Sequence, residues 1–319
     1  MSKNWGKLFK SSVVTVLVAV MLGVLPISDT TANITYAENA KTSLTWSLEQ
    51  YPDYYSVEGK SHINTDEFPK LYRTTEKVYK KGGRSTKHIT VSDIQYATLD
   101  GYGRSGTAFG VITKDMINMS AGYREKWECK PEPSGWYSYF FKENNQRATE
   151  SNYNHSPKTV SKVSNNRNAS ILLSNGNVRN GYLFDRSHLI ADSLGGKPFR
   201  NNLVTGTRTQ NVGNNDRKGG MQYIENKVLD YINKNPKVHV YYKAVPIYQG
   251  TELLPRFVLV SALSSDGYID ETVRIFNTAN GFSIDYQNGG LLTKSPADDT
   301  TTGVDTDKKI SNDDQENDN

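Results

Sequence analysis

The stretch YLFDRSHLIADSLGGKPFRNNLVTGTRTQN, residues 182–211, sets Asp185, Arg186 and His188 between apolar residues and ends in a run of Asn, Thr and Arg. A core strand has no use for Asp-Arg-Ser-His. A solvent loop has no use for Tyr182, Leu183 and Phe184 before it or Leu189 and Ile190 after it. Of the five histidines in the chain, only His188 has so dense a polar setting. A neutral imidazole, with a reference pKa of about 6.5, can take a proton from water at neutral pH.

Hydrolysis of a phosphodiester is a reaction that would use these neighbours too. It needs a base to generate the nucleophile, a cation to offset charge on the phosphoryl oxygens, and donors to hold the phosphate. His188 is the candidate base, and Arg186, Arg208, Arg217 and Lys218 are candidate donors. Mg²⁺ takes oxygen ligands and keeps several of its waters, so a side-chain amide such as Asn211 suits it, with Glu225 holding the coordinated waters. Asn214, Asn215 and Asp216 lie in the same stretch. Composition leaves them open as ligands or as turn and cap residues, and Ca²⁺ accepts the same oxygens.

The elements that must position these groups come from the hydrophobic pattern. The segments 109–113, 134–141, 170–174, 238–248, 256–263 and 273–279 are rich in β-branched and aromatic residues and read as strands of a central antiparallel sheet. Between them, Met221, Ile224, Val228, Leu229 and Ile232 recur at helical spacing and predict a helix over 220–233. Glu225 falls inside its apolar stripe rather than on the polar face. A carboxylate there either reaches past the edge of the core or is held for a purpose.

Both ends of the 319-residue chain stand apart. Residues 1–37 run from Lys3, Lys7 and Lys10 through an apolar stretch to small residues, the order of a secretory signal peptide cleaved after Ala37. An uncleaved anchor is the alternative, against which Pro26 and the small residues beyond it argue. Residues 296–319 hold eight acidic residues, two lysines and no aromatic, and read as a disordered acidic tail. The chain's net charge is +4; with +2 in residues 1–37 and −6 in the tail, residues 38–295 carry +8. So basic an exported body suits a polyanionic partner. Cys129 is the only cysteine, which excludes an intramolecular disulfide and a Cys-rich metal site.

At FDRSH the sequence resembles the DNA/RNA non-specific endonucleases, whose motif is Asp-Arg-Gly-His and whose fold is of the ββα-metal type. NNLVTGTRTQNV and YIENKVLDYI are similar to the DNA-entry nuclease and streptodornase branch, as is LDGYGRSG from Leu99. The resemblance runs from about Leu99 to about Gly290 and implies an α+β fold with a central antiparallel sheet flanked by helices. Residues 38–90, polar and Tyr-rich with little periodicity, read as a loosely organised N-terminal extension, which leaves 91–295 as one domain. It implies His188 as general base, Asn211 as the one direct protein ligand of Mg²⁺ and Glu225 as the carboxylate orienting metal-bound water. Asn202 matches an Asn near the scissile phosphate and Arg186 the motif arginine. Ser187 stands where Gly is common, and 13 residues separate His188 from Asn202.

The expectation is a secreted, monomeric, Mg²⁺-dependent endonuclease that cuts DNA without sequence preference, with no stable membrane association once the signal is removed. The products implied are 5′-phosphate and 3′-hydroxyl ends; RNA as a second substrate is left open. An exported nucleic-acid-binding protein for adhesion or uptake would also use the basic body and the many tyrosines. It would require no particular His. A metal hydrolase using His188 and Asp192 as an i, i+4 ligand pair is a third reading, with no second His nearby.

Overall fold

The computed structural model describes residues 45–80, 83–120, 131–148 and 160–292. The segments read as signal peptide and acidic tail, and Cys129, lie outside the described residues. The strands are β1 (Tyr55–Gly59), β2 (Tyr72–Lys80), β3 (Gly83–Val91), β4 (Gln95–Tyr96), β5 (Ala108–Ile112), β6 (Tyr137–Phe141) and β7 (Val160–Ser164). They continue with β8 (Asn168–Leu172), β9 (Val178–Tyr182), β10 (Phe184–His188), β11 (Leu203–Thr207), β12 (Val240–Ile247), β13 (Phe257–Ser264) and β14 (Asp270–Phe276). The helices are α1 (Lys114–Ser120), α2 (Arg208–Val212) and α3 (Met221–Lys234).

The expected antiparallel sheet is present, six strands in the order β1-β14-β13-β12-β5-β4. Alternate residues of its strands, among them Ile112, Tyr242, Val258, Val260, Val273 and Ile275, face one core together with Met116 and Ile117 of α1 and Met221, Ile224, Val228 and Ile232 of α3. Each such aliphatic side chain contributes roughly 1.5–3 kcal/mol by leaving water. α1 and α3 therefore share one face of the sheet, so "flanked by helices" overstates the arrangement. Among the described residues no helix is long and apolar enough to cross a membrane.

The boundary expected near residue 90 also shifts. β1 pairs with β14, with Tyr55 opposite Ile275 and Val57 opposite Val273, and so belongs to the central sheet. Tyr54 before it is wholly buried and stacks on Trp46 with ring centroids 5.1 Å apart. β2 and β3 form a hairpin whose Ile89 and Val91 reach the main core. From Trp46 onward, the extension is woven into the domain.

A second, smaller core holds Trp136, Ile171, Leu183, Phe184, Leu254 and Ile284. The two-stranded ribbon β10–β11 spans both cores: Phe184 is in the smaller, whereas Val204 and the following Leu189 and Ile190 are in the larger. Asn277 fastens this ribbon to the end of β14. Its Nδ2 donates to the Thr205 carbonyl (3.1 Å) and its Oδ1 accepts from the Thr207 amide (2.7 Å).

Candidate active site

β10 is the FDRSH motif itself, and it is followed along the chain by β11, α2 and α3. Pairing sets Asp185 opposite Gly206 and His188 opposite Leu203. Because strand side chains alternate, Asp185 and Ser187 share one face and Arg186 and His188 the other. A Cβ at Gly206 would lie 2.1 Å from Gln210 Oε1 and 2.8 Å from Ser187 Cβ. A side chain at 206 would therefore crowd Ser187 across the ribbon and displace the Gln210 amide.

α2 starts at a Thr207 cap, whose hydroxyl accepts from the Gln210 amide at 3.1 Å. This turn brings Asn211 over Asp185. Asn211 Nδ2 donates to Asp185 Oδ2 (2.9 Å), and its Oδ1 accepts from Ser187 Oγ (3.3 Å). The carboxylate can only accept, so it fixes which end of the Asn211 amide faces it and leaves the carbonyl oxygen on the other side. Ser187, the departure from Gly, thus supplies a hydroxyl to the candidate ligand's oxygen.

Arg208 differs from expectation. It is 7% exposed, its Nη1 donates to Asp185 Oδ2 (3.0 Å) and its Nη2 to Asn215 Oδ1 (3.1 Å). Its guanidinium is turned inward onto Asp185 rather than out toward a phosphate. Arg179 of β9 lies in the same field: burial lowers its pKa, the negative charge of Asp185 opposes that and Arg208 reinforces it. Arg217 and Lys218 lie in the exposed turn before α3, where Arg217 and Asn226 exchange two hydrogen bonds of 3.0 Å.

Asn202 closes the 189–202 loop. Its Nδ2 donates to the Ile190 and Lys197 carbonyls (3.0 and 2.8 Å), its Oδ1 accepts from the Ile190 amide (3.0 Å), and its exposure is 0%. Its backbone carbonyl accepts from Leu189 N at 2.8 Å. Those bonds hold the chain just after His188. Arg186 is anchored by Nε to the Pro131 carbonyl (2.8 Å), with its guanidinium 4.1 Å from the centre of the Trp136 ring.

Glu225 occupies the first turns of α3 and is 8% exposed, as its place in the apolar stripe predicted. Gly220, with φ +57°, allows that helix to begin against α2, since a Cβ there would lie 2.4 Å from the Gln210 carbonyl oxygen. Desolvation by burial is the cause that pushes Glu225 up to about 8. Across from it on β12, the wholly buried Tyr242 has a hydroxyl with no hydrogen-bond partner among the described residues. Burial, and then the Glu225 charge, raise the Tyr242 pKa.

Of the expected residues, Asn211 and Arg208 meet at Asp185, and β10 carries Arg186 and His188 on its other face. Asp185 is the residue that sequence reasoning left without a role; the signal for it was its place in the motif. Asn214, open as a ligand, instead binds Asp53 Oδ1 (2.7 Å) and the Pro52 carbonyl (3.1 Å). His188 ends a strand and Asp192 begins a 3-10 turn, so the i, i+4 spacing does not lie on a helix face. Among the described residues there is no group of three His, Cys, Asp or Glu able to hold a metal ion.

The family model of the DNA/RNA non-specific endonucleases matches residues 72–297. A deoxyribonuclease of Streptococcus dysgalactiae subsp. equisimilis is 57% identical over 258 residues, 81% of this chain and 78% of that one. Among solved structures, Sda1 nuclease with bound zinc ion is 78% identical with a TM-score of 0.74, covering 78% of this chain and 100% of that one.

Proposed function

The chain belongs to the DNA/RNA non-specific endonuclease family, and from that premise we propose that it is a secreted, divalent-metal-dependent endonuclease that hydrolyses DNA without reading its sequence. The observation that carries this is the Asn211 amide, buried at 4% exposure and oriented by Asp185 within the module that also contains His188 and Glu225. A DNA-binding protein for adhesion or uptake would need no such buried polar arrangement, which costs free energy to assemble.

The residues fit a hard divalent cation. Asn211 offers an amide oxygen, and Glu225 is a buried carboxyl that desolvation raises to about 8, a shift that a nearby divalent ion would oppose. One amide ligand with a carboxylate behind it suits Mg²⁺, which keeps most of its waters, better than a closed structural zinc site with four protein ligands. Ca²⁺ would accept the same oxygens. When bound, such an ion offsets charge on the phosphoryl oxygens. The deoxyribonuclease relative supports DNA as substrate and the zinc-bound Sda1 nuclease supports a divalent ion.

In this reading His188 takes a proton from water, the water oxygen bonds to phosphorus, and the P–O3′ bond breaks with its electron pair going to O3′, which takes a proton from a second water. The products carry a 5′-phosphate and a 3′-hydroxyl. Asn202 and Arg186 act from either side of His188, the first by fixing the chain after it and the second by tying β10 to the 131–136 segment. Arg217 and Lys218, with the rest of the +8 body, hold phosphates. A monomeric state and export through the 1–37 signal complete the proposal. The test is plasmid DNA incubated with the purified protein in EDTA, then with excess Mg²⁺, Zn²⁺ or Ca²⁺. Cutting that is absent in EDTA and returns with Mg²⁺ is expected; cutting unaffected by EDTA would overturn the proposal.

A further inference from the structure

A cleft of about 710 Å³ opens beside the β10–β11 ribbon, lined by Glu132 to Gly135, Tyr137 to Tyr139, Arg147, Tyr102 and Arg200. Its volume suits a nucleotide-sized ligand. We propose that it is a base-stacking subsite that takes unpaired nucleotides of the strand being cut; this rests on the nuclease reading above.

Its chemistry is that of a single-stranded nucleic-acid site, tyrosine faces next to arginines. Tyr137 and Tyr139 lie on the same side of β6, their Cα atoms roughly 6.6 Å apart at the usual strand rise, so each ring can meet a different base of an extended strand. Tyr139 is 39% exposed and Tyr102 41%. The ammonium of Lys162 lies 3.7 Å from the Tyr137 ring centre and Arg104 4.9 Å from that of Tyr102, so a cation already backs each of these rings.

The charges have the sign a phosphate needs. Glu132, the acid of the lining, is ion-paired with Lys162. Asp100, beside Tyr102, is held by Arg104 at 2.6 Å. Arg147 donates to the Ser138 hydroxyl. Arg200 has only a 3.4 Å contact to the Gly103 carbonyl and forms no ion pair among the described residues. Among the described residues, Arg147 and Arg200 line a cleft whose carboxylate, Glu132, is ion-paired.

The cleft is also fixed to the chemistry. Arg186, which shares a face of β10 with His188 and lies two residues from it, holds Pro131 and Trp136. Thr205 Oγ1 donates to the Ser134 carbonyl at 2.8 Å. Arg200 lies two residues before Asn202, and its backbone carbonyl accepts from Ser105 Oγ at 3.0 Å. A strand with a phosphate at His188 thus passes Arg186 and reaches the tyrosines within a few nucleotides. Bases held there must leave their stack, so single-stranded or easily opened DNA is favoured.

The experiment uses the full chain carrying His188→Ala, in Mg²⁺, with fluorescein-labelled oligo(dT) of eight residues and the same strand with abasic sugars. Parent binding of oligo(dT) should exceed that of the abasic strand. Tyr139→Ala should weaken oligo(dT) by roughly tenfold and leave the abasic strand unchanged, whereas Arg200→Ala should weaken both. Tyr139→Phe, which keeps the ring, should bind as the parent does. Equal binding of the two strands by the parent, or an unchanged oligo(dT) affinity in Tyr139→Ala, overturns the proposal. EDTA-sensitive plasmid cleavage by the wild type, measured in parallel, shows whether the nuclease reading stands when the subsite does not.

Discussion

Asp185 and Glu225 are buried almost equally, 5% and 8% exposed, yet their surroundings are opposite. One oxygen of Asp185 accepts both from Arg208 at 3.0 Å and from Asn211 at 2.9 Å, so its charge is compensated inside the fold. Burial alone pushes Glu225 up to about 8, and the Tyr242 hydroxyl, whose pKa the Glu225 charge raises, has no hydrogen-bond partner among the described residues. The first is a fixed anchor whose charge is spent within the structure. The second has burial as the only cause of its shift, and on the proposed function a divalent ion would supply the compensation.

The largest effect should come from breaking the compensated side. Asp185→Ala leaves the Arg208 guanidinium buried without its anion, a loss of about 3–5 kcal/mol by analogy with other broken buried pairs. It also frees the Asn211 amide to turn. Urea unfolding should show the stability loss, and restoring apolar packing with Asp185→Leu and Arg208→Met together should recover stability without activity. A double variant that cut DNA normally would show that Asp185 serves packing alone.

On the uncompensated side, Glu225→Ala should weaken the Mg²⁺ response of cleavage by roughly 10- to 100-fold. Stability should move the other way. With Glu225 raised from 4.5 to about 8, the folded protein keeps a proton that the unfolded chain releases. In EDTA the wild type therefore loses stability as pH rises from about 4.5 to about 8, by several kcal/mol in all. Glu225→Gln removes that loss, so its Tm should exceed wild type by several degrees at pH 8 and match it at pH 4. An identical pH dependence in both proteins would show that the carboxylate is already compensated.

The smallest effect is the sharpest check on the same point. Tyr242→Phe deletes a buried hydroxyl with no partner among the described residues, so stability in EDTA should change by less than about 1 kcal/mol, or rise. A loss well above that would mean that the phenol is bonded, through water, to Glu225.

The helix α3 and the place of Glu225 were legible because helical periodicity is a local signal and a carboxylate among five apolar residues violates it. Strands β5, β12, β13 and β14 were legible for the same reason, being dense in β-branched and aromatic side chains. β1 and the β2–β3 hairpin were not, since their polar faces resemble loop sequence and their burial comes from partners about 200 residues away or across a turn. His188 stood out by its setting. Arg208 looked like a phosphate ligand because its anion, Asp185, lies 23 residues back in the chain. Asn202 looked like a substrate contact because sequence does not tell which Asn spends all its hydrogen bonds on backbone. Polar residues declare their type locally and their orientation only through tertiary partners.

On the proposed function, His188 generates the nucleophile in a metal-dependent phosphodiester hydrolysis. Single-turnover cleavage of an end-labelled DNA duplex at saturating Mg²⁺, with wild type and His188→Ala compared at matched binding, tests it most directly. The rate should fall by roughly 10² to 10⁴ while the Kd for DNA stays nearly unchanged and circular dichroism reports a native fold. Cleavage by the folded His188→Ala protein at the wild-type rate would contradict it.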